Sequence, residues 1–270
     1  MVSPIKKIIH RVNEANSATY AAALAYSFLF ALLPLMLFLT ALLGLLHLPA
    51  PKTYLTGPFT VFIAPTLKSL VVSILNEAQR IHSPTLLFLG ALGFVWTMAG
   101  ALHQLGHAFD RAQGRNHPSR KSWQSLPRAG GLGLLLGILL VISLALGTLG
   151  QEIVTWFSIS LLRHAPNPFL IATIRWILFF ALIWVALTLI YHWLPSQKSR
   201  FRWISPGAGL VMILWVLISL GFTVYAAHFD QYNKFYGGMG AVILLLLYLY
   251  VLSFALLVGG EVNALWFKDE

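Results

Sequence analysis

The residues with the most chemical potential sit at the ends of long apolar runs. Glu261 and Asn263 interrupt the last of these, two residues apart and just after Gly259 and Gly260. A carboxylate at the edge of a lipid-spanning stretch is costly, so it pairs with an opposite charge or lines a polar path. Glu261 admits both readings. It can pair with a base such as Arg111 and lock the last run to the second, or it can serve a lipid headgroup or a proton. His103 and His107 are spaced i, i+4, which turns both imidazoles to one helix face. Such a pair binds zinc when a third ligand arrives, with Glu261 and His192 as candidates, and otherwise bonds to loops or headgroups at the wet interface. Asp110 and Arg111 follow at the same end of that run and are further candidates for a polar path. Glu152 and Arg175 form a second potential pair near the opposite ends of their runs. They either offset each other's burial or leave Arg175 to grip a phosphate.

Several chemistries are excluded by composition. The chain has no cysteine, so disulfides, thiolate nucleophiles and Cys-ligated metals are absent. No Ser/His/Asp arrangement or phosphate-binding glycine loop occurs in its required context. The basic loop 111–128 carries Arg111, Arg115, Arg120, Lys121 and Arg128 but a single aromatic, Trp123, and Asp110 is the one carboxylate nearby. A nuclease needs carboxylates for metal ions or a positioned base, so anionic lipid explains this loop better than nucleic acid. The sequence therefore predicts no enzyme, no cofactor and no resident metal.

These residues need a scaffold, and lipid dictates it. Of the 270 residues, 58% are hydrophobic and 10% charged, with mean hydropathy +0.78. A soluble surface needs about 25% charged residues. About 20 apolar residues of helix cross a hydrocarbon core, and six stretches meet that length, residues 20–48, 85–109, 129–155, 169–194, 203–229 and 236–267. The expectation is an all-α, single-domain bundle of six transmembrane helices. Residues 20–48 are too long for the apolar core of a signal peptide. Pro34 lies inside them, predicting a kink and a freed Phe30 carbonyl that Ser27 or a neighbouring helix can satisfy. Residues 49–84 begin with four prolines and continue as an amphipathic stripe, predicting a helix that lies on the membrane between spans one and two. Residues 4–15 set Ile5, Ile8, Ile9 and Val12 against Lys6, Lys7 and Arg11, as a headgroup-level helix or a basic tail. Small residues on spans two and three, including the Gly133-x-x-x-Gly137 spacing, allow close helix approach within the chain or in a homo-oligomer.

Six passes place both termini on one side. Of the 18 Lys and Arg residues, twelve fall on that side, five on the other, and Arg175 is embedded. The positive-inside rule makes the side with both termini cytoplasmic. The same asymmetry absorbs most of the +10 formal charge without any nucleic acid. Trp156, Trp193, Trp203 and Trp266 fall at span ends, where an aromatic belt belongs. The six spans do not divide into halves with matching broken helices, so the inverted-repeat transporter pattern is not supported.

Three stretches carry a resemblance: AAALAYSFLFALLPLMLFLTALLGLL at 21–46, ALHQLGHAFDRAQGR at 101–115, and the block running from IYHWLPSQKSRFRWISPGAGLVMILW to YGGMGAVILLLLYLYVLSFALLVGGEVNA. Together, and in order, they resemble the YihY / virulence factor BrkB family of bacterial inner-membrane proteins. The carrying features are Ala-Tyr before a mid-helix Pro, Leu-Pro before a basic turn, and Gly-x-Glu-x-Asn closing the last span. The family usually has Ser three residues before the first-span Pro, where this chain has Ala31. Its older label, ribonuclease BN, is a mistaken assignment. The resemblance implies an inner-membrane, multi-pass protein linked to envelope integrity and to lipids or lipopolysaccharide precursors. It leads to the expectation of a transporter or flippase for an anionic envelope lipid, with Glu261, Asn263, Arg175, Glu152, Asp110 and Arg111 along its path, or else of a non-catalytic scaffold for envelope assembly.

Overall fold

The computed structural model describes residues 10–45, 83–112, 127–139, 142, 168–196, 205–227 and 238–266. Every regular element among them is helical. A short helical turn at 10–14 precedes six helices: α1 (Ser17–Leu45), α2 (Pro84–Ala112), α3 (Pro127–Leu139), α4 (Pro168–Trp193), α5 (Pro206–Ala227) and α6 (Gly238–Trp266). In lipid, backbone polar groups have no water to bond, so a spanning segment must satisfy them internally, and an uninterrupted helix does so. Five of the six are long and apolar enough to cross a membrane, and α3 is the shorter apolar one. Residues 49–82 of the expected surface helix and the far part of the third span lie outside the described residues, and Pro84, the expected end of that segment, already opens α2.

The helix ends follow local chemistry. Asn16 adopts a left-handed backbone, φ 52°, and separates the N-terminal turn from α1. Asparagine is among the few residues that take this conformation readily. The second span runs three residues past its expected end at 109, so Asp110 and Arg111 are helical. The fifth begins at Pro206, later than the expected 203. Ser205 caps it by accepting the Ala208 N–H at 3.2 Å, and proline suits the first helical position because no N–H is needed there.

Helices α1 and α2 form an antiparallel pair. A side chain on Gly90 would collide with the backbone of Phe38, and one on Gly93 would meet the Pro34 ring at 3.0 Å. The two glycines therefore allow α2 to lie directly against α1 at its proline. Helix α1 runs unbroken through Pro34. The Ser27 hydroxyl is not the partner of the freed Phe30 carbonyl; its proton is shared between Ala23 O at 3.0 Å and Gln104 Oε1 at 3.1 Å. Ser27 thus joins α1 to α2 instead of repairing the proline site. The glycines of α3 also work within the chain. Positions 133 and 137 face Met98 and Phe94 of α2.

Helix α6 packs on α1, α2 and α5. Its seam with α5 is zipped by polar contacts at intervals. Trp215 Nε1 donates to Leu252 O at 3.1 Å, and the Ser219 and Tyr248 hydroxyls bond at 2.9 Å. Leu24, Leu102, Leu105, Leu132, Leu187 and Val211 fill a common core. Around it the surface is apolar: Leu33, Phe88, Trp96, Ile177, Ile213 and Val242 are all more than half exposed. Water would penalise that surface heavily, whereas lipid tails do not.

Candidate functional site

The polar residues converge at one end of the bundle, where α1, α3 and α5 start and α2, α4 and α6 finish. The sequence Gly259-Gly260-Glu261 organises this end. Successive helical residues point about 100° apart, so the three face three different neighbours. Gly259 lies against Val211 and Gly207 of α5 and the Tyr191 hydroxyl of α4, and Gly260 against the Phe109 ring of α2. Glu261 turns toward the N-terminal turn, where Arg11 and Glu14 lie within electrostatic reach. It is wholly buried, at 0% exposure, and among the described residues neither carboxylate oxygen has a hydrogen-bond partner. One guanidinium nitrogen of Arg11 is likewise buried and unpartnered.

The expected pairing of Glu261 with Arg111 does not form. Arg111 is exposed and its guanidinium lies 5.9 Å from the centre of the Tyr20 ring. The one ion pair among the described residues is His10–Glu14, at 3.2 Å and largely in solvent, where such pairs contribute little.

Asn263, one turn beyond Gly259, faces α5. Its Oδ1 accepts the Gly207 N–H at 2.8 Å, and its Nδ2 donates to Ser205 Oγ at 2.9 Å. It thereby satisfies one of the free N–H groups that every helix start leaves open. Asn263 is a cap supplied by one helix to another. Asp110 has a comparable task. Both its carboxylate oxygens accept from Ser196, one from the backbone N–H and one from the hydroxyl. That fastens α2 to the Leu194-Pro195-Ser196 corner after α4. Tyr191 crosses from α4 to donate its hydroxyl to Leu256 O of α6 at 2.7 Å. Ser205, Ser196, Tyr191 and Gln104 were not singled out in the sequence. Ser205-Pro206 carried a readable signal, a capping residue before proline.

His103 and His107 do come together, Nε2 to Nε2 at 3.1 Å. They line a partly open cleft with Asp110, Arg128, Trp193 and Ser196 against apolar walls that include Leu102 and Leu132. Neither Glu261 nor His192 lines it, and among the described residues no three His, Asp or Glu side chains converge as a metal would require. Glu152 lies outside the described residues, as does the side chain of Arg175, so that pair is not placed.

A helical bundle with a lipid-compatible exterior and polar groups collected at one end is a multi-pass membrane protein. Residues 8–268 match the family described as Virulence factor BrkB, and the chain belongs to that family. It is 26% identical to YfkH of Bacillus subtilis strain 168, a protein whose name calls it ribonuclease-like, over 100% of this chain and 97% of that one. It is 27% identical to a "UPF0761 membrane protein" of Coxiella burnetii strain Dugway 5J108-111, over 95% of this chain and 90% of the relative. A protein of the same name from Chromohalobacter salexigens is also 27% identical, over 98% of this chain but 63% of that longer relative. No solved structure matches the chain.

Proposed function

We propose that this protein moves an amphiphilic, anionic envelope lipid or lipid-linked precursor across the bacterial inner membrane, without chemical conversion, with both termini in the cytoplasm. The observation that carries this reading is the cleft between α2, α3 and the end of α4. It combines a basic residue, Arg128, two imidazoles and an indole with apolar walls, beside the Asp110 carboxylate that Ser196 engages, and it lies at the bundle end where headgroups would lie. A phosphate suits the arginine and the imidazoles, and acyl chains suit the walls and the apolar exterior beside them.

The family membership supports a membrane role, and the charge asymmetry of the loops supports the orientation. The ribonuclease-like name belongs to the Bacillus relative; here Asp110, the carboxylate in the cleft, accepts two hydrogen bonds from Ser196, a fastening role that suits a reading without chemical conversion. The test is translocation of a fluorescent anionic phospholipid in proteoliposomes. The intact protein accelerates it, and Arg128→Glu, Arg175→Ala and Glu261→Ala each slow it by more than they lower the folded fraction. Absence of movement by the intact protein, or activity loss that tracks unfolding in every variant, refutes the reading. The close seams of α1 with α2 and of α5 with α6 favour a second reading, a scaffold for envelope assembly. That reading is marked by stoichiometric co-purifying proteins and no lipid movement.

A further inference from the structure

Glu261 and Arg11 are opposite charges brought to the same interior place and left unjoined. The carboxylate is fully enclosed with both oxygens unpartnered, and Arg11 has a guanidinium nitrogen in the same condition. Among the described residues no ion pair reaches Glu261, and the groups facing the two glycines before it are uncharged. Helix α2 presents the Phe109 ring beside Gly260. Helix α5 presents Ser205 and Gly207, both committed to Asn263. Helix α4 presents the Tyr191 hydroxyl, committed to Leu256 O. Among the described residues the charged groups in reach are Arg11 and Glu14 of the N-terminal turn, and Glu14 is exposed in its pair with His10.

An ionised carboxylate in such a place lacks both water and a counter-ion, which is among the costliest arrangements a protein can adopt. A metal cation would need several oxygen ligands, and the neighbouring amide and hydroxyl groups are spoken for. A proton needs one. The turn that carries Arg11 is joined to α1 through Asn16 in its left-handed conformation, so a change of backbone angles at one residue re-aims Arg11 without disturbing α1.

We propose that Glu261 is a proton-binding site whose alternative partner is Arg11. With the proton on, the carboxyl is neutral and can sit without a partner, the arrangement its two oxygens have here. When the proton leaves to water at this end of the bundle, the N-terminal turn closes about Asn16 and Arg11 forms an ion pair with the carboxylate. This deepens the transport reading by naming the coupling ion, and rests on it only for the purpose of the cycle. Protonation of Glu261 is measurable whether or not lipid moves.

The test uses the full-length protein in detergent or liposomes, with dicyclohexylcarbodiimide as the probe. This apolar reagent adds the protonated form of a carboxyl shielded from water, and the O-acylisourea so formed rearranges to a stable N-acylurea that mass spectrometry locates. The expected result is selective labelling of Glu261 over solvent-exposed Glu14, falling about tenfold per pH unit once the proton is lost. In Arg11→Gln, which removes the replacement partner, the fall moves to higher pH. Its fold is checked by size-exclusion profile and tryptophan fluorescence, and the wild-type arm needs no variant. Labelling of Glu261 no greater than that of Glu14, or labelling independent of pH, overturns the proposal. So does an unchanged profile in a folded Arg11→Gln protein. Protection by sodium at constant pH overturns it in favour of a metal cation. Labelling as expected with no lipid movement would leave the proton site standing and remove the transport reading alone.

Discussion

Substituting alanine for Gly207 tests whether the α5–α6 seam is as close as described. A methyl group at this position would run into the carbonyl oxygen of Gly259 and lie 2.7 Å from the side-chain amide of Asn263. Carbon atoms rest at about 3.5 Å or more, and the Gly259 oxygen is closer still, so α5 must retreat by roughly 1 Å or more. The Gly207 N–H bond to Asn263, at 2.8 Å, then stretches past the range in which it counts as a hydrogen bond. Overpacking of this kind costs about 1–3 kcal/mol, and a lost bond to a buried helix start adds about 1 kcal/mol. The higher helix propensity of alanine returns somewhat less than 1 kcal/mol. The net expectation is a loss of about 2 kcal/mol.

Gly221 is the control. It lies on the same helix and nothing is within 4 Å of its added methyl, so Gly221→Ala should be neutral or slightly stabilising. Unfolding in mixed micelles with increasing SDS, followed by the fluorescence of the nine tryptophans, measures both. If Gly207→Ala and Gly221→Ala unfold within about 0.5 kcal/mol of each other, a difference typical of unremarkable surface changes, the seam is looser than described and the capping role of Asn263 falls with it.

Two further results follow from the same end of the bundle. Asp110→Ala leaves the Ser196 N–H and hydroxyl without their acceptor and should cost about 3 kcal/mol, since bonds to a charged group contribute about 1.5–3 kcal/mol each. Asp110→Asn, which keeps one acceptor oxygen, should recover part of it in the same unfolding assay. Tyr191→Phe alone should cost about 1 kcal/mol, but because the Tyr191 hydroxyl is one of the atoms an alanine at 259 would strike, Gly259→Ala should be less damaging in the Tyr191→Phe background. Strict additivity in that double-mutant cycle would show that Tyr191 and Gly259 are not in contact.

The course of the chain through the membrane was legible in the residues. Lipid forces backbone bonds to close within each segment, and about 20 apolar residues set the length of a pass. Hydropathy alone therefore located α1, α2, α4, α5 and α6 to within a few residues, and it drew attention to Glu261, Asn263 and Asp110 as polar groups in expensive places. Their partners were not legible. Helical periodicity fixes how far along a helix a residue sits, but not which neighbour its face meets, and that angle is set only when the helices pack. Packing gave Asn263 to the start of α5 and Asp110 to the corner after α4. It also put the N-terminal turn, with Arg11, beside Glu261, while Arg111 settled over Tyr20. The apolar stretches had to become helices to cross the membrane as separate passes, whereas the joining of Asn263 to the start of α5 depended on glycines 207 and 259 being small enough to let the two helices come that close.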